Sequence, residues 1–382
     1  MATVFSRDLP APARHSFFVF GPRGTGKSTW VERAMPEALT LDLLELATYA
    51  DLLQHPERLE QLVLGAKKTE VIIDEVQRLP ALLDEVHRLI ERRKWRFALT
   101  GSSARKLRRG GVNLLAGRAR TLAMHPLTAH ELGTSFDLQR SLRWGHLPVA
   151  QTTDDPHRFL RSYVGTYLRE EVQAEALTRN LEVFSRFVTA ASFSQGSVLS
   201  ISTLAREVGV ARKTVEGYFD LLVDLLLAVR LPVFTRRAKR AMTAHPKFYY
   251  FDAGVYRALR PQGPLDPPEE IDGAALETLV MQELRATNDN FELGYELSTW
   301  RTRDQKEVDF VLYGERGLVA VEVKRGSQIR EADLVGLRLL GEDYPSARRF
   351  LFYGGTRTYE MSGVRVLPLE RALPDLPTLL SG

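Results

Sequence analysis

From Ser16 to about Pro126, short apolar runs alternate with stretches whose apolar residues recur every three or four positions. Phe17–Phe20, Ala38–Leu43, Val71–Ile73 and Phe97–Thr100 read as buried strands, with Thr121–Met124 as a fifth. Leu82, Val86, Leu89 and Ile90 keep helical spacing. This alternation predicts a parallel sheet with helices on both faces. From about Pro156 to Leu231 the pattern is helical. A basic segment, Pro232 to Pro246, then leads into a short strand, Phe248–Phe251. Residues 260–270 carry four prolines and read as a linker. Beyond them a helix is expected over Gly273–Thr287, and strands over Tyr295–Arg301, Val308–Leu312, Leu318–Val323 and Phe350–Phe352. A helix from Ile329 to Leu340 interrupts these strands. The pattern predicts three domains, 1–135, 136–259 and 260–382, with residues 1–15 as a short leader.

Composition narrows the chemistry. A chain of 382 residues is long enough for two or three cores. It has no cysteine, which excludes disulfides, thiol nucleophiles and Cys-ligated metals. Its most apolar stretch, Leu221 to Phe234, is interrupted by Asp224 and Arg230, well short of a membrane span. The N-terminal residues lack the apolar core of a signal peptide. The expectation is a cytoplasmic protein with no membrane partner. The net charge of +4 conceals a division: +5 over residues 200–250 and −7 over residues 265–382.

The sharpest motif is Gly21-Pro22-Arg23-Gly24-Thr25-Gly26-Lys27-Ser28, placed between an apolar strand and a helical stretch that starts with Thr29. Glycines let a loop wrap phosphates, and its N–H groups with the helix N-terminus supply positive charge. Lys27 suits the β- and γ-phosphates of ATP, and Ser28 suits Mg²⁺. Val71-Ile72-Ile73-Asp74-Glu75 is a strand ending in two carboxylates: Asp74 suits the Mg²⁺ shell, and Glu75 suits polarising the attacking water. Thr100 or Ser102, at the end of another strand, could sense the γ-phosphate or cap the next helix. Arg118 could reach a neighbouring subunit's nucleotide as a finger, or lie solvated on the surface.

Residues 16–135 resemble the AAA-type domain of bacterial and archaeal ATPases that carry a C-terminal domain of unknown function. Leu99-Thr-Gly-Ser-Ser, Leu115-Ala-Gly-Arg118 and Pro126-Leu-Thr-Ala-His-Glu-Leu carry much of the likeness. Gly145-His146-Leu147-Pro148 resembles that family's Gly-Gly-x-Pro segment, with His146 in place of the second glycine, and Tyr163 to Glu171 also fits. The resemblance implies an ATPase. A finger at Arg118 needs a neighbour, so a homo-oligomer, such as a hexameric ring, is expected.

Residues 198–225 read as a helix-turn-helix. Ser202 to Val208 forms one helix, Gly209-Val210 the turn, and the second helix starts at Ala211. Arg212, Lys213 and Thr214 stand where groove-reading residues would. Arg236, Arg237, Lys239 and Arg240 occupy the place of a wing and suit phosphates. DNA contact is expected there, with a lid or a protein-docking platform as the alternative.

In the C-terminal segment Asp309 and Glu322 fall on successive strands, Lys324 two residues beyond Glu322, and Glu277 on the preceding helix. Together they resemble the PD-(D/E)XK nucleases, in the branch that includes restriction and Holliday-junction endonucleases. The proline before the Asp is replaced by Val308. The resemblance implies that Glu277, Asp309 and Glu322 hold a divalent ion and that Lys324 holds or helps deprotonate its water. Glu283 is a rival for the helix carboxylate. Trp300 and Arg301 could contact nucleic acid or pack the strand. The expected architecture is thus an α/β P-loop ATPase core, a helical and winged-helix middle, and a mixed α/β restriction-endonuclease-like end. The expected activity is an ATP-driven helicase, translocase or branch-migration motor on duplex or branched DNA. The alternative is a regulatory or defence ATPase that binds DNA or protein without cleaving or translocating.

Overall fold

The structure, a computed structural model, describes residues 5–105, 107, 115–167, 170, 181–243, 245–264 and 266–382. Part of the Tyr163–Glu171 segment, including Leu168, Arg169 and Glu171, lies outside them. The chain divides into two compact units.

The first unit covers residues 9–125 with 224–226. Its strands are β1 (Ser16–Phe20), β2 (Leu39–Asp42), β3 (Glu70–Asp74), β4 (Arg96–Gly101) and β5 (Ala119–Ala123). They form a parallel sheet in the order β2-β3-β4-β1-β5. All five residues of β1 are buried, as a strand covered on both faces requires. Phe18, Phe20, Ile73 and Leu99 face one core with Leu82, Val86 and Leu89 of the helix Leu82–Arg93. Phe17, Val19, Ile72 and Ala98 face the other with Val31 of the helix Lys27–Ala34. The expected doubly covered sheet is what forms, and strand alternation sorts its residues between the two cores.

The second unit covers residues 126–223 and 227–382, together with residues 5–8. Two residues of the expected leader are anchored: Arg7 pairs with Glu131 at 2.9 Å, and the Asp8 N–H donates to the same carboxylate. Within this unit, the helix Leu181–Ser192 is followed by β6 (Ser197–Val198). The helices Ile201–Val208 and Arg212–Asp224 and the strands β7 (Ala228–Leu231) and β8 (Lys247–Tyr250) complete this region. The strands pair antiparallel in the order β6-β8-β7. Gly209, at φ 76°, makes the left-handed turn between the two helices, where glycine is least strained.

The C-terminal sheet holds β9 (Glu296–Arg301), β10 (Glu307–Gly314), β11 (Gly317–Lys324), β12 (Arg348–Tyr353), β13 (Tyr359–Met361) and β14 (Val364–Pro368). Their order is β13-β14-β12-β11-β10-β9. One face packs on the helix Pro268–Asn290 through Leu279, Val280, Phe310 and Val321. Leu138, Leu142, Leu231 and Tyr249 from the middle of the chain join that same core. The proline-rich linker therefore does not divide two cores. The other face packs on the helix Val335–Asp343 through Leu337, Val308 and Leu351. The long helix begins at Pro268, with proline at its first turn, five residues before the expected start. No described helix is long and apolar enough to cross a membrane.

Candidate functional sites

The phosphate-binding loop follows β1. Gly21 is required by close approach, since a Cβ there would collide with the Met124 carbonyl oxygen. Gly24 and Gly26 take φ 79° and 90°, which other residues rarely adopt. The helix then starts at Lys27, so Lys27, Ser28 and Thr29 form its first turn. Lys27 Nζ crosses the loop to the carbonyls of Gly21 (2.8 Å) and Pro22 (3.1 Å), and Thr25 Oγ1 donates to Pro22 O. Arg23 lies on the exposed side of the loop.

The second motif meets the first as its chemistry requires. Ser28 Oγ donates to Asp74 Oδ2 at 2.7 Å. Thr100 Oγ1 bonds to Asp74 Oδ1 and accepts from the Glu75 N–H. Glu75 sits at φ 58°, an uncommon left-handed conformation for a glutamate, found here at the turn after β3. Its carboxylate accepts from Gln77 Nε2, which also reaches Ser102 Oγ at 3.1 Å. Thr100 and Ser102 thus connect the acidic pair to β4. Gln77 was not evident from the motif alone. Its signal is a polar residue, buried here, two positions after Glu75 in the turn Val76–Arg78. Ser28 and Asp74 are the oxygen donors that suit Mg²⁺ beside a bound nucleotide.

Arg118 is at the opposite end of the sheet. Ala119 pairs with Ser16, and the phosphate loop leaves β1 only after Phe20. Four residues of strand, about 13 Å, separate the two ends. Arg118 bonds to Glu91 of its own chain and holds that carboxyl below its ordinary range.

The basic residues of the second unit separate into two groups. Arg212 and Lys213 are exposed at the start of the helix Arg212–Asp224, and Thr214 is half-buried beside them. The segment after β7 lies along β9 instead of projecting. Phe234 N donates to Thr299 O (2.7 Å), Thr299 N to Pro232 O (2.8 Å) and Thr243 N to Arg301 O (3.1 Å). Its cations face acids of the C-terminal sheet and helix. Arg236 pairs with Glu296, Arg240 with Glu342 (2.7 Å) and Asp343 (3.2 Å), and Lys239 donates to the Glu342 carbonyl. Arg237 is exposed at φ 52°. Backbone bonds to an edge strand thus hold the segment that carries the expected wing cations, and three of those four cations have protein partners.

Glu277, Asp309, Glu322 and Lys324 gather at one place, where β10 and β11 splay. β10 carries a bulge against β9 between Val308 and Val311, and its ladder with β11 ends at Phe310 and Val321. Beyond it Asp309 Oδ2 accepts from Val323 N (3.0 Å), and Asp309 N donates to Glu322 Oε2 (3.3 Å). Lys324 Nζ donates to Glu322 Oε1 at 2.6 Å. At the centre stands Lys247, absent from the sequence reading. Its Nζ lies 3.5 Å from Glu277 Oε2 and 3.4 Å from Asp309 Oδ1, and it pairs with Glu307. The Tyr249 hydroxyl donates to Glu277 Oε2 at 2.9 Å. Burial, then the Asp309 charge, push the Glu277 carboxyl up to about 7 and that of Glu322 up to about 8. Burial opposes the Lys247 charge, but Tyr249 and the carboxylates outweigh it and raise its pKa.

Among the described residues, no three His, Asp or Glu side chains form a group that could hold a metal ion. The divalent-ion role expected of Glu277, Asp309 and Glu322 does not fit, because an ammonium occupies the space between the carboxylates. Trp300 is fully buried in the core, and Arg301 pairs with Glu307. The sequence signal for Lys247 was a charged residue opening Lys247-Phe-Tyr-Tyr, a strand buried at all four positions.

Glu283, the rival carboxylate, belongs elsewhere. It lies fully buried 3.1 Å from His146 Nδ1 and accepts from the Ala129 N–H at 2.8 Å. His146 Nε2 meets Ser141 Oγ at 2.7 Å, and its backbone N–H donates to Asp252. A Cβ at Gly145 would strike the Asp252 carboxylate, which explains the glycine. Burial disfavours charge on His146, but Glu283 and then Asp252 raise its pKa above the usual histidine range. Burial raises Glu283 as well.

Comparison with known proteins supports the nucleotide-binding part. An AAA domain model matches residues 13–133, and two domains of unknown function, DUF8612 and DUF4143, match residues 135–266 and 272–372. Two uncharacterized proteins, one from Mycobacterium bovis and one from Mycobacterium tuberculosis, are each 30% identical over 351 residues. The match covers 86% of this chain and 76% of each relative. The chain belongs to the family of these two mycobacterial proteins, and it is an AAA-type ATPase whose C-terminal part consists of domains of unknown function.

Proposed function

We propose that the protein hydrolyses ATP with Lys27, Ser28, Asp74 and Glu75 and couples that hydrolysis to DNA. The bond between Ser28 and Asp74, continued through Thr100 to Glu75, carries the hydrolytic part of this reading. Lys27 and the loop N–H groups bind the β- and γ-phosphates. Ser28 and Asp74 would hold Mg²⁺, which supplies charge neutralisation between those phosphates when bound. Glu75, oriented by Gln77, accepts the hydrogen bond of the attacking water. The DNA part rests on the order helix, strand, two helices and two strands over residues 181–250, which supports a winged-helix reading. Arg212 and Lys213 are then the groove-facing residues, and the C-terminal sheet is nuclease-like in fold.

One observation favours a second reading, a regulatory or defence ATPase that binds DNA or protein without cleaving or translocating. The cations that would grip a moving duplex are engaged by Glu296, Glu342 and Asp343. The test is steady-state ATP hydrolysis with and without duplex, single-stranded and four-way DNA. Glu75→Gln should lower kcat by about 10²-fold or more while a fluorescent ATP analogue still binds. Gln77→Ala should lower it by about 10-fold. Normal turnover by Glu75→Gln would refute the site, and hydrolysis indifferent to every DNA would refute the coupling.

A further inference from the structure

We propose that the Lys247 ammonium is the resident cation of the C-terminal carboxylate site, standing where the nucleases this segment resembles hold a divalent metal ion. The inference is independent of the ATP and DNA readings.

Three observations carry it. Lys247 is a strand residue with a 3% exposed side chain, so its ammonium has left water almost completely. A charge so placed is tolerated only when oppositely charged groups surround it. Glu307 and Asp309 do so from the start of β10, with the Glu277 carboxyl beside them on the helix Pro268–Asn290. Second, the carboxylates are already provided with donors. Asp309 closes the splayed ladder through Val323 N, Glu322 is paired to Lys324, and Glu277 accepts from Tyr249. A divalent ion entering there would have to expel the ammonium and break these bonds. Third, the lysine is fixed by the backbone. Lys247 pairs with both Leu231 and Val198 in the middle strand of the small sheet, so two ladders hold its Cα beside the carboxylates, and the ammonium can leave only by rotating its side chain out of a buried site.

The consequence is a site built from nuclease-type residues that works as an internal clasp. It joins β8, the helix Pro268–Asn290 and the first residues of β10. It needs no metal ion to hold its acids together, and it gives the protein no metal-dependent cleavage at this position.

The test uses the full chain without nucleotide, in a Lys27→Ala background that silences the phosphate loop. Mn²⁺ is the probe, read by calorimetric titration and by thermal melting. The parent should show no Mn²⁺ site and no shift in Tm. Lys247→Ala should melt lower, bind one Mn²⁺ and recover Tm when Mn²⁺ is added. Lys247→Ala with Asp309→Asn should lose that response. Lys247→Arg should keep the fold and remain silent to Mn²⁺. If Lys247→Ala folds only when refolded with Mn²⁺, the proposal stands. If it fails to fold in either condition, or folds and ignores Mn²⁺, the proposal falls. Mn²⁺ binding or Mn²⁺-dependent DNA cleavage by the parent that Asp309→Asn abolishes would also overturn it.

Discussion

Glu75 is held at both ends, its N–H by Thr100 and its carboxylate by Gln77. A candidate water-polarising group is useful only when its geometry is fixed before the nucleotide arrives. The same demand for fixed polar geometry explains the buried groups of the second unit, and here it has a pH consequence. Glu277, at about 7, Glu322, at about 8, Glu283 and His146 all have folded pKa values above their unfolded ones. Each raised group binds its proton more tightly in the folded state. Its contribution is complete below the unfolded pKa and is lost as pH rises through the folded one. For the glutamates the loss begins above about pH 4.3, and for His146 above about pH 6.5. Denaturant midpoints should therefore fall from pH 5 to pH 8, and His146→Gln should flatten the part above about pH 6.5. Each extra proton held by the folded state is worth up to about 1.4 kcal/mol per pH unit. A midpoint that rises across that range would show that these groups do not hold their protons.

Elements with strong periodicity were legible, and those created by tertiary contact were not. β1 holds four successive apolar residues, Phe17–Phe20, directly before a glycine loop, a short bounded run that suits a buried strand. β13 and β14 alternate too weakly, with Tyr359, Glu360 and Arg365 exposed, and they form because β12 offers an edge. The end of the β10–β11 ladder at Phe310 and Val321 also escaped the sequence, although it is what leaves Asp309 at the splayed end. Likewise the segment from Pro232 to Thr243 carries a wing's charge but the backbone bonds of an edge strand. These differences separate two sets of cations. Charge reversal at Arg212 and Lys213 should weaken duplex DNA binding and lessen its salt dependence, by about one unit of slope per lost phosphate contact. Arg240→Ala should leave DNA binding unchanged and lower stability by about 1–3 kcal/mol, since it takes a partner from Asp343, whose side chain is only 4% exposed. Fluorescence anisotropy against salt reads the first and thermal melting the second. A DNA defect in Arg240→Ala equal to that of Arg212→Glu would return the segment to the role of a wing.

Over the whole chain, the basic middle and acidic end prove to be complementary parts of one unit. Arg236, Arg240 and Lys247 face Glu296, Glu342, Asp343, Glu277, Glu307 and Asp309. Much of the charge division that suggested DNA on one side and a metal on the other is neutralised within the fold. Arg118 is a different case, because its position bears on assembly. It leaves the sheet at the end opposite the phosphate loop, so the two cannot meet within one parallel sheet about 13 Å long. If Arg118 acts on a nucleotide, that nucleotide belongs to another copy. The consequence can be tested by mixing subunits. Arg118→Ala keeps an intact loop but supplies no finger, and Lys27→Ala supplies the finger but binds phosphate poorly. Each alone should be nearly inactive. Mixed in equal amounts and allowed to exchange, they should recover about a quarter of wild-type hydrolysis, the share of interfaces that place an intact loop beside an intact arginine in a cyclic assembly. The recovery should vanish on dilution below the assembly concentration. Full activity of Arg118→Ala alone would leave the arginine with its partner Glu91, as a surface ion pair and no more.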